Sequence, residues 1–99
     1  MGQTLDQLRQ NREAIIAFAG RYGVGNIRVF GSVARGDEDE SSDIDLLADM
    51  PEKGFGYFDM FRIEHYIEDL MGKKVELVDP KQIRYKTLRK WIMEEAVPL

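Results

Sequence analysis

Two aspartates separated by a single residue are the first feature of the sequence that could do chemistry. Asp43 and Asp45 lie in a short run of strand-forming residues. Side chains two positions apart on a strand project from the same face, with Cα atoms about 6.5–7 Å apart. Two such carboxylates repel each other unless a cation lies between them, and Mg²⁺ prefers hard oxygen ligands that it shares with substrate phosphates. The pair indicates a magnesium site; a polar strand end facing solvent is the alternative.

A third carboxylate, Glu76, is flanked by the apolar residues Val75, Leu77 and Val78. This run predicts a strand buried on both faces, where an unpartnered charge is costly. On a strand next to the aspartate pair, about 4.8 Å away, Glu76 would complete a three-carboxylate site. The alternative is a glutamate on an edge strand that reaches water.

A glycine and a serine, Gly31-Ser32, directly follow the strand-like run 26–30. If a short helical turn begins there, its free N–H groups and its dipole favour a phosphate. Gly31 has no Cβ and lets a phosphate approach the backbone, while Ser32 adds a hydroxyl donor. Gly-Ser pairs also occur in ordinary turns. Combined with three carboxylates, a phosphate-binding turn predicts phosphoryl or nucleotidyl transfer.

Composition excludes several other kinds of chemistry. The 99 residues include no Cys and one His, His65, which excludes disulfides, thiolate zinc sites and cysteine nucleophiles and disfavours a Ser-His-Asp hydrolase. The net charge of −4 disfavours direct binding to nucleic acid. No apolar run approaches the roughly 20 residues of a membrane span, and Met1-Gly2-Gln3-Thr4 lacks the features of a signal peptide. We therefore expect a cytoplasmic protein.

Helices and strands must bring these residues together. A capping-box pattern, Thr4-x-x-Gln7, opens a predicted helix over 4–20, and Gly72 ends another over 55–71. Strands are predicted over 26–30, 43–48 and 74–78, with a helical turn and an exposed acidic loop over 33–42 and a last helix over about 81–95. This order predicts a single α/β (α+β) domain, 1–99, with a small mixed sheet of about three strands and helices packed on it. It does not give the order of the strands in the sheet.

The motifs resemble a known superfamily. Gly31-Ser32, ten further residues and Asp43-Ile44-Asp45 are similar to the Gly-Ser-x10-Asp-x-Asp signature of the DNA polymerase beta-type nucleotidyltransferases. Within that superfamily, the chain resembles the minimal nucleotidyltransferase (MNT) family. The resemblance lies in its short length, in the segments 31–36 and 42–46 and in the ending 95–99. The resemblance covers nearly the whole chain and implies the polymerase beta-type nucleotidyltransferase fold.

The resemblance implies roles for the residues of the glycine-serine turn. Gly31 and Ser32 would hold the triphosphate of ATP. Arg35 also matches a family position and would contact a phosphate. The alternative for Arg35 is a surface arginine that orders the acidic loop.

The resemblance also implies roles for the carboxylates. Asp43 and Asp45 would ligate two Mg²⁺ ions, and Glu76 falls where the family places its third carboxylate, as metal ligand and general base. Many family members have aspartate there. Glutamate is one methylene longer, which is the main departure from the family pattern.

Family members of this size are typically antitoxins of HEPN-type ribonuclease toxins and add AMP from ATP to a toxin tyrosine. The resemblance therefore implies a protein adenylyltransferase with a HEPN-type partner. The sequence adds aromatic residues beyond one helical stripe, which are enriched at interfaces, although core packing explains any one of them. These residues are Phe55, Phe58, Phe61, Tyr85 and Trp91.

Two rival functions stay open. One is a non-catalytic, nucleotide-binding antitoxin that neutralises its partner by occlusion; the complete set of motif residues argues against it. The other is nucleotide transfer to a small molecule or an RNA 3′ end, which the acidic charge disfavours.

Overall fold

The computed structural model describes residues 3–99; Met1 and Gly2, part of the segment compared above with signal peptides, lie outside this range. The described chain alternates helices and strands, with a 3₁₀ turn at Pro80–Gln82. The helices are α1 (Gln3–Gln10), α2 (Arg12–Gly20), α3 (Gly31–Arg35), α4 (Tyr57–Met71) and α5 (Lys86–Glu95). The strands are β1 (Gly25–Phe30), β2 (Ile44–Asp49), β3 (Val75–Val78) and β4 (Val97–Pro98).

The four strands form one mixed sheet in the order β3-β2-β1-β4. β1 is antiparallel to β2 and β4, whereas β2 and β3 run parallel. Helix α4 joins the parallel pair, because parallel neighbours need a crossover connection. The predicted small mixed sheet with packed helices is confirmed. The sequence missed β4, which is only two residues long and ends in proline at a sheet edge.

One face of the sheet carries the hydrophobic core. Along β2, Ile44, Leu46 and Ala48 are fully buried in this core, because alternate side chains of a strand share a face. Ile15 of α2 and Ile63 of α4 belong to the same cluster. Burying a side chain of this size contributes about 1.5–3 kcal/mol, so this face anchors the sheet. On the opposite face of β2, Leu47 is also buried, whereas Asp45 is only partly buried and Asp49 is exposed.

Helix α4 begins at Tyr57 rather than at 55, and two other predicted helices differ more from the structure. The helix predicted over 4–20 is divided into α1 and α2, since the Asn11 side chain donates to the Gln7 carbonyl at 2.9 Å and competes with helical hydrogen bonding. The last helix begins at Lys86 rather than near 81, because Asp79 instead caps the 3₁₀ turn. Across residues 3–99, no helix is long and apolar enough to cross a membrane.

The start of α1 also differs from the capping-box prediction. Thr4 lies inside the helix, and its N–H donates to Oε2 of Glu38 at 3.2 Å. A carboxylate at this position satisfies a free N–H and complements the helix dipole. Glu38 is only 7% exposed, so the prediction of a fully exposed acidic loop is wrong at this residue.

Candidate active site

Gly31 follows β1 directly and fits its position only as glycine. Its φ of +76° lies in the left-handed region, which side chains with a Cβ rarely adopt. A Cβ placed on Gly31 would also overlap Oδ2 of Asp45. The glycine-serine turn and the Asp-x-Asp segment are therefore in direct contact, with Ser32 in the first turn of α3.

Asp45 lies between two neighbouring strands. It is the register partner of Phe30 on β1 and of Glu76 on β3. Directly paired residues project from the same face of a sheet, so Asp45 and Glu76 share the face opposite the core. Glu76 is exposed on an edge strand whose burial alternates. The prediction that this strand is buried on both faces is therefore wrong.

The three predicted carboxylates are close enough for their charges to interact. Asp43 lies just before β2 and is exposed, whereas Asp45 is partly buried. Burial raises the pKa of Asp45, and the nearby charges of Glu76 and Asp43 raise it further. Arg35 acts in the opposite direction. The site is thus a concentration of negative charge that a cation would relieve.

The carboxylate oxygens at this site suit Mg²⁺. In the described part of the chain, no group of three or more His, Asp and Glu side chains is arranged to hold a metal ion. Mg²⁺ is nevertheless usually bound by one or two carboxylates and completes its shell with phosphate oxygens and water. Asp43 and Asp45 fit such a partial ligand set, and Glu76 as a further ligand stays a prediction.

A fourth carboxylate, Glu95, reaches the glycine-serine turn from the end of α5. Its Oε2 accepts a hydrogen bond from the Gly31 N–H at 3.1 Å, and its Oε1 accepts one from Nη1 of Arg35. Glu95 therefore accepts hydrogen bonds from two groups that were predicted to contact phosphate, the Gly31 N–H and the Arg35 guanidinium. Nε of Arg35 also donates to Asp37 at 3.2 Å, which agrees with the alternative role of ordering the acidic loop.

Sequence reasoning missed Glu95. Gly31 and Glu95 are 64 positions apart, and a glutamate near a helix end is common on protein surfaces. The sequence signal that includes Glu95 is the ending 95–99, which resembles the family but does not indicate a role for this residue. Only the packing of α5 against α3 and β1 brings it to the turn.

Comparison with known proteins identifies the family. The sequence model of the nucleotidyltransferase domain matches residues 11–99. The chain belongs to the nucleotidyltransferase domain family. The match includes the whole site, and the nucleotidyltransferase predicted from the motifs is confirmed at the family level.

Curated relatives of this nucleotidyltransferase are named as adenylyltransferases. A protein of Methanocaldococcus jannaschii, provisionally named a protein adenylyltransferase, is 39% identical over 77 residues, which are 78% of this chain and 78% of its own. Protein adenylyltransferase MntA of Thermococcus cleftensis is 36% identical over 77 residues, covering 78% of this chain and 76% of its own.

Solved structures share the fold of this nucleotidyltransferase. A structure provisionally titled a minimal nucleotidyltransferase is 40% identical, with a TM-score of 0.83 over 96% of this chain and 95% of its own. A toxin-antitoxin structure with AMP-PNP has a TM-score of 0.70 over 89% of this chain and 71% of its own. At 19% identity, the second likeness concerns the fold alone. The first confirms the predicted minimal nucleotidyltransferase fold.

Proposed function

We propose that this nucleotidyltransferase moves AMP from ATP to a tyrosine hydroxyl of a HEPN-type ribonuclease toxin and so acts as its antitoxin. The observation that carries the proposal is the close approach of Gly31 and Asp45, which brings the predicted phosphate-binding turn next to a predicted metal ligand. The naming of two relatives as protein adenylyltransferases supports AMP transfer to protein. In this proposal residues 1–99 form a single catalytic domain that works in the cytoplasm.

The glycine-serine turn would hold the triphosphate. The Gly31 N–H, the Ser32 hydroxyl and the Arg35 guanidinium are donors of the kind that bind phosphate oxygens. Glu95 now accepts from two of these groups. A phosphate oxygen at the Gly31 N–H would compete with Oε2 of Glu95 for that donor, so we expect the triphosphate to displace Glu95 from the turn when it binds.

The carboxylates would act at the α-phosphate. Asp43 and Asp45 would hold Mg²⁺, which neutralises phosphate charge and orients the leaving group. The acceptor hydroxyl oxygen forms a bond to the α-phosphorus, and the bond from that phosphorus to the bridging oxygen breaks. Pyrophosphate leaves, and the Glu76 carboxylate takes the hydroxyl proton. The exposure of Glu76 leaves it accessible to an acceptor from a second protein.

The test is AMP transfer to the product of the neighbouring gene. Incubation of both folded proteins with ATP and Mg²⁺ should add the mass of AMP to a tyrosine of that product, measured by intact-protein and peptide mass spectrometry. Asp45→Ala should abolish the adduct, whereas Asp69→Ala, an exposed acidic residue on α4, should retain it. Absence of any adduct with wild-type protein contradicts the proposal.

A second candidate, neutralisation by occlusion, is favoured by exposed aromatics on α4. Tyr57, Phe58 and Phe61 are 80%, 79% and 57% exposed, and such side chains suit a protein interface. A double variant, Asp43→Ala with Asp45→Ala, separates the two functions. If it neutralises the toxin as well as wild type does, occlusion is sufficient.

A further inference from the structure

The protein's single tryptophan lies exposed on α5, the helix that ends at the candidate active site. Trp91 is on α5 and is 64% exposed. A tryptophan buries a large apolar area when it packs in a core. Because the Trp91 indole is mostly exposed to water, it contributes little to core packing. A ligand that covers it would gain that area.

Trp91 shares a face of α5 with the residue that reaches the glycine-serine turn. Leu88, Trp91 and Glu95 recur at spacings of three and four, which places them on one face of the helix. Glu95 contacts Gly31 and Arg35. Trp91 is therefore one helical turn, about 5.4 Å, from the residue that occupies the predicted phosphate position.

This helix face belongs to the same side of the sheet as the carboxylates. The charge of Glu95 contributes to the raised pKa of Asp45, whose side chain projects away from the core. A nucleotide with its phosphates on Gly31 and its α-phosphate near Asp45 has its base one ribose away. Because Glu95 contacts Gly31 and its charge acts on Asp45, the helix face that carries Trp91 borders the region where the α-phosphate and ribose would lie.

We propose that Trp91 is the surface on which the nucleobase of the bound nucleotide stacks. The proposal rests on the proposed function, because it assumes that the turn binds a triphosphate. Base–aromatic stacking tolerates every base, since each has a π face. Trp91 therefore strengthens binding of nucleoside triphosphates relative to a bare triphosphate chain, and discriminates little among bases.

Tryptophan fluorescence tests this directly, since Trp91 is the only source of the signal. ATP with Mg²⁺ should change the emission of wild-type protein, whereas inorganic tripolyphosphate with Mg²⁺ should bind and leave it unchanged. The tripolyphosphate should also displace Glu95, so it controls for movement of α5. An equal change with both ligands overturns the proposal.

Calorimetry of variants supplies the second measurement. Trp91→Ala should raise the dissociation constant for ATP about tenfold and leave that for tripolyphosphate unchanged, while Trp91→Phe should retain most of the affinity. Phe58→Ala removes an aromatic that is still more exposed than Trp91 from α4, which packs on the core face, and should leave both constants unchanged.

The outcomes separate the two proposals. If Trp91→Ala binds ATP like wild type and loses only AMP transfer to the partner, Trp91 contacts the acceptor and the stacking proposal is wrong. If wild type transfers AMP and Trp91→Ala changes nothing, stacking alone is wrong. Failure of wild type to bind ATP overturns the proposed function, and the role of Trp91 with it.

Discussion

Asp45 is held in a position that favours chemistry over stability. Burial and the charges of Glu76 and Asp43 raise its pKa in the folded protein. The folded state therefore binds the proton more tightly than the unfolded state. This contribution to stability is fully present below the unfolded-state pKa of Asp45 and is lost as pH rises through the raised folded-state pKa. The charged form needed to bind a cation is the form that destabilises the free protein.

Replacement of Asp45 by Asn should separate stability from activity. Asp45→Asn keeps the shape of the side chain and removes its charge, so we expect the melting temperature of the free protein at neutral pH to rise by a few degrees. AMP transfer should be lost. The stabilisation should shrink when melting is repeated below the pKa of Asp45, where the wild-type carboxyl is also neutral. A variant less stable than wild type at neutral pH contradicts this account.

Gly31 should tolerate no Cβ, for two reasons that a matched variant can separate. Gly31→Ala combines a left-handed φ with overlap of Asp45, whereas Gly36 has a similar φ of +79° and open space around a Cβ. Gly36→Ala should cost about 1 kcal/mol, and Gly31→Ala should cost more and also reduce AMP transfer. Urea unfolding and the transfer assay measure both. Equal losses of stability would show that the contact with Asp45 is unimportant.

The sequence could predict the residues whose positions depend on local spacing, and not those that depend on long-range packing. The sites of Gly31 and Asp45 can be predicted from their own segments. A tight turn needs glycine, and the alternation of side chains along a strand determines which face Asp45 lies on. The site of Glu95 cannot be predicted in this way, because its role requires α5 to pack near α3. For Glu76 the sequence left two alternatives, a strand buried on both faces and an edge strand that reaches water, because they differ only in strand order, which the sequence does not give.

At the level of elements, α4 protects the free edge of the sheet. Glu64 Oε2 accepts from the Leu77 N–H at 2.8 Å, and Glu68 Oε2 accepts from the Val75 N–H at 2.9 Å. These N–H groups belong to the edge strand β3, and unpaired edge groups invite pairing with another chain. Two carboxylates one helical turn apart on α4 thus accept hydrogen bonds from the N–H groups of the edge strand.

Removal of both carboxylates should weaken and expose this edge. The double variant Glu64→Ala with Glu68→Ala loses two charge-assisted hydrogen bonds, so we expect the free energy of unfolding to fall by about 2–4 kcal/mol. Sedimentation velocity should also show self-association through β3. Asp69→Ala, on the exposed side of α4, is the matched control and should change neither. An unchanged unfolding midpoint in the double variant would show that water replaces these bonds without loss.

Elements with a clear local signal were predictable. Helix α4 was expected from its apolar spacing, and Gly72 ends it with a left-handed φ of +69°. The division of the first predicted helix at Asn11 was not expected, since apolar spacing continues through it. Strand β4 forms because Val97 pairs with Val29 of β1. A run of two residues is too short to predict such a pairing from the sequence.

At the scale of the whole molecule, the fold brings four distant segments to one place. These segments meet on the sheet face opposite the core: the turn at Gly31, the strand residues Asp45 and Glu76, and Glu95 at the end of α5. Their charges are mostly negative, so the free protein stores repulsion that a nucleotide with its cation would relieve. Binding should therefore be visible in global stability.

Mg²⁺ and ATP together should stabilise the protein far more than either alone. At a ligand concentration of 100 times Kd, binding adds about 2.7 kcal/mol, which corresponds to a rise in Tm of about 10–20 °C for a domain of this size. ATP with excess EDTA should give little rise, because the triphosphate then meets uncompensated carboxylates. Asp45→Asn should start from a higher Tm and respond weakly to Mg²⁺ and ATP, since it lacks a charge that holds the cation. A full rise with EDTA present would show that ATP binds without the cation, and would remove Asp43 and Asp45 as metal ligands from the proposed reaction.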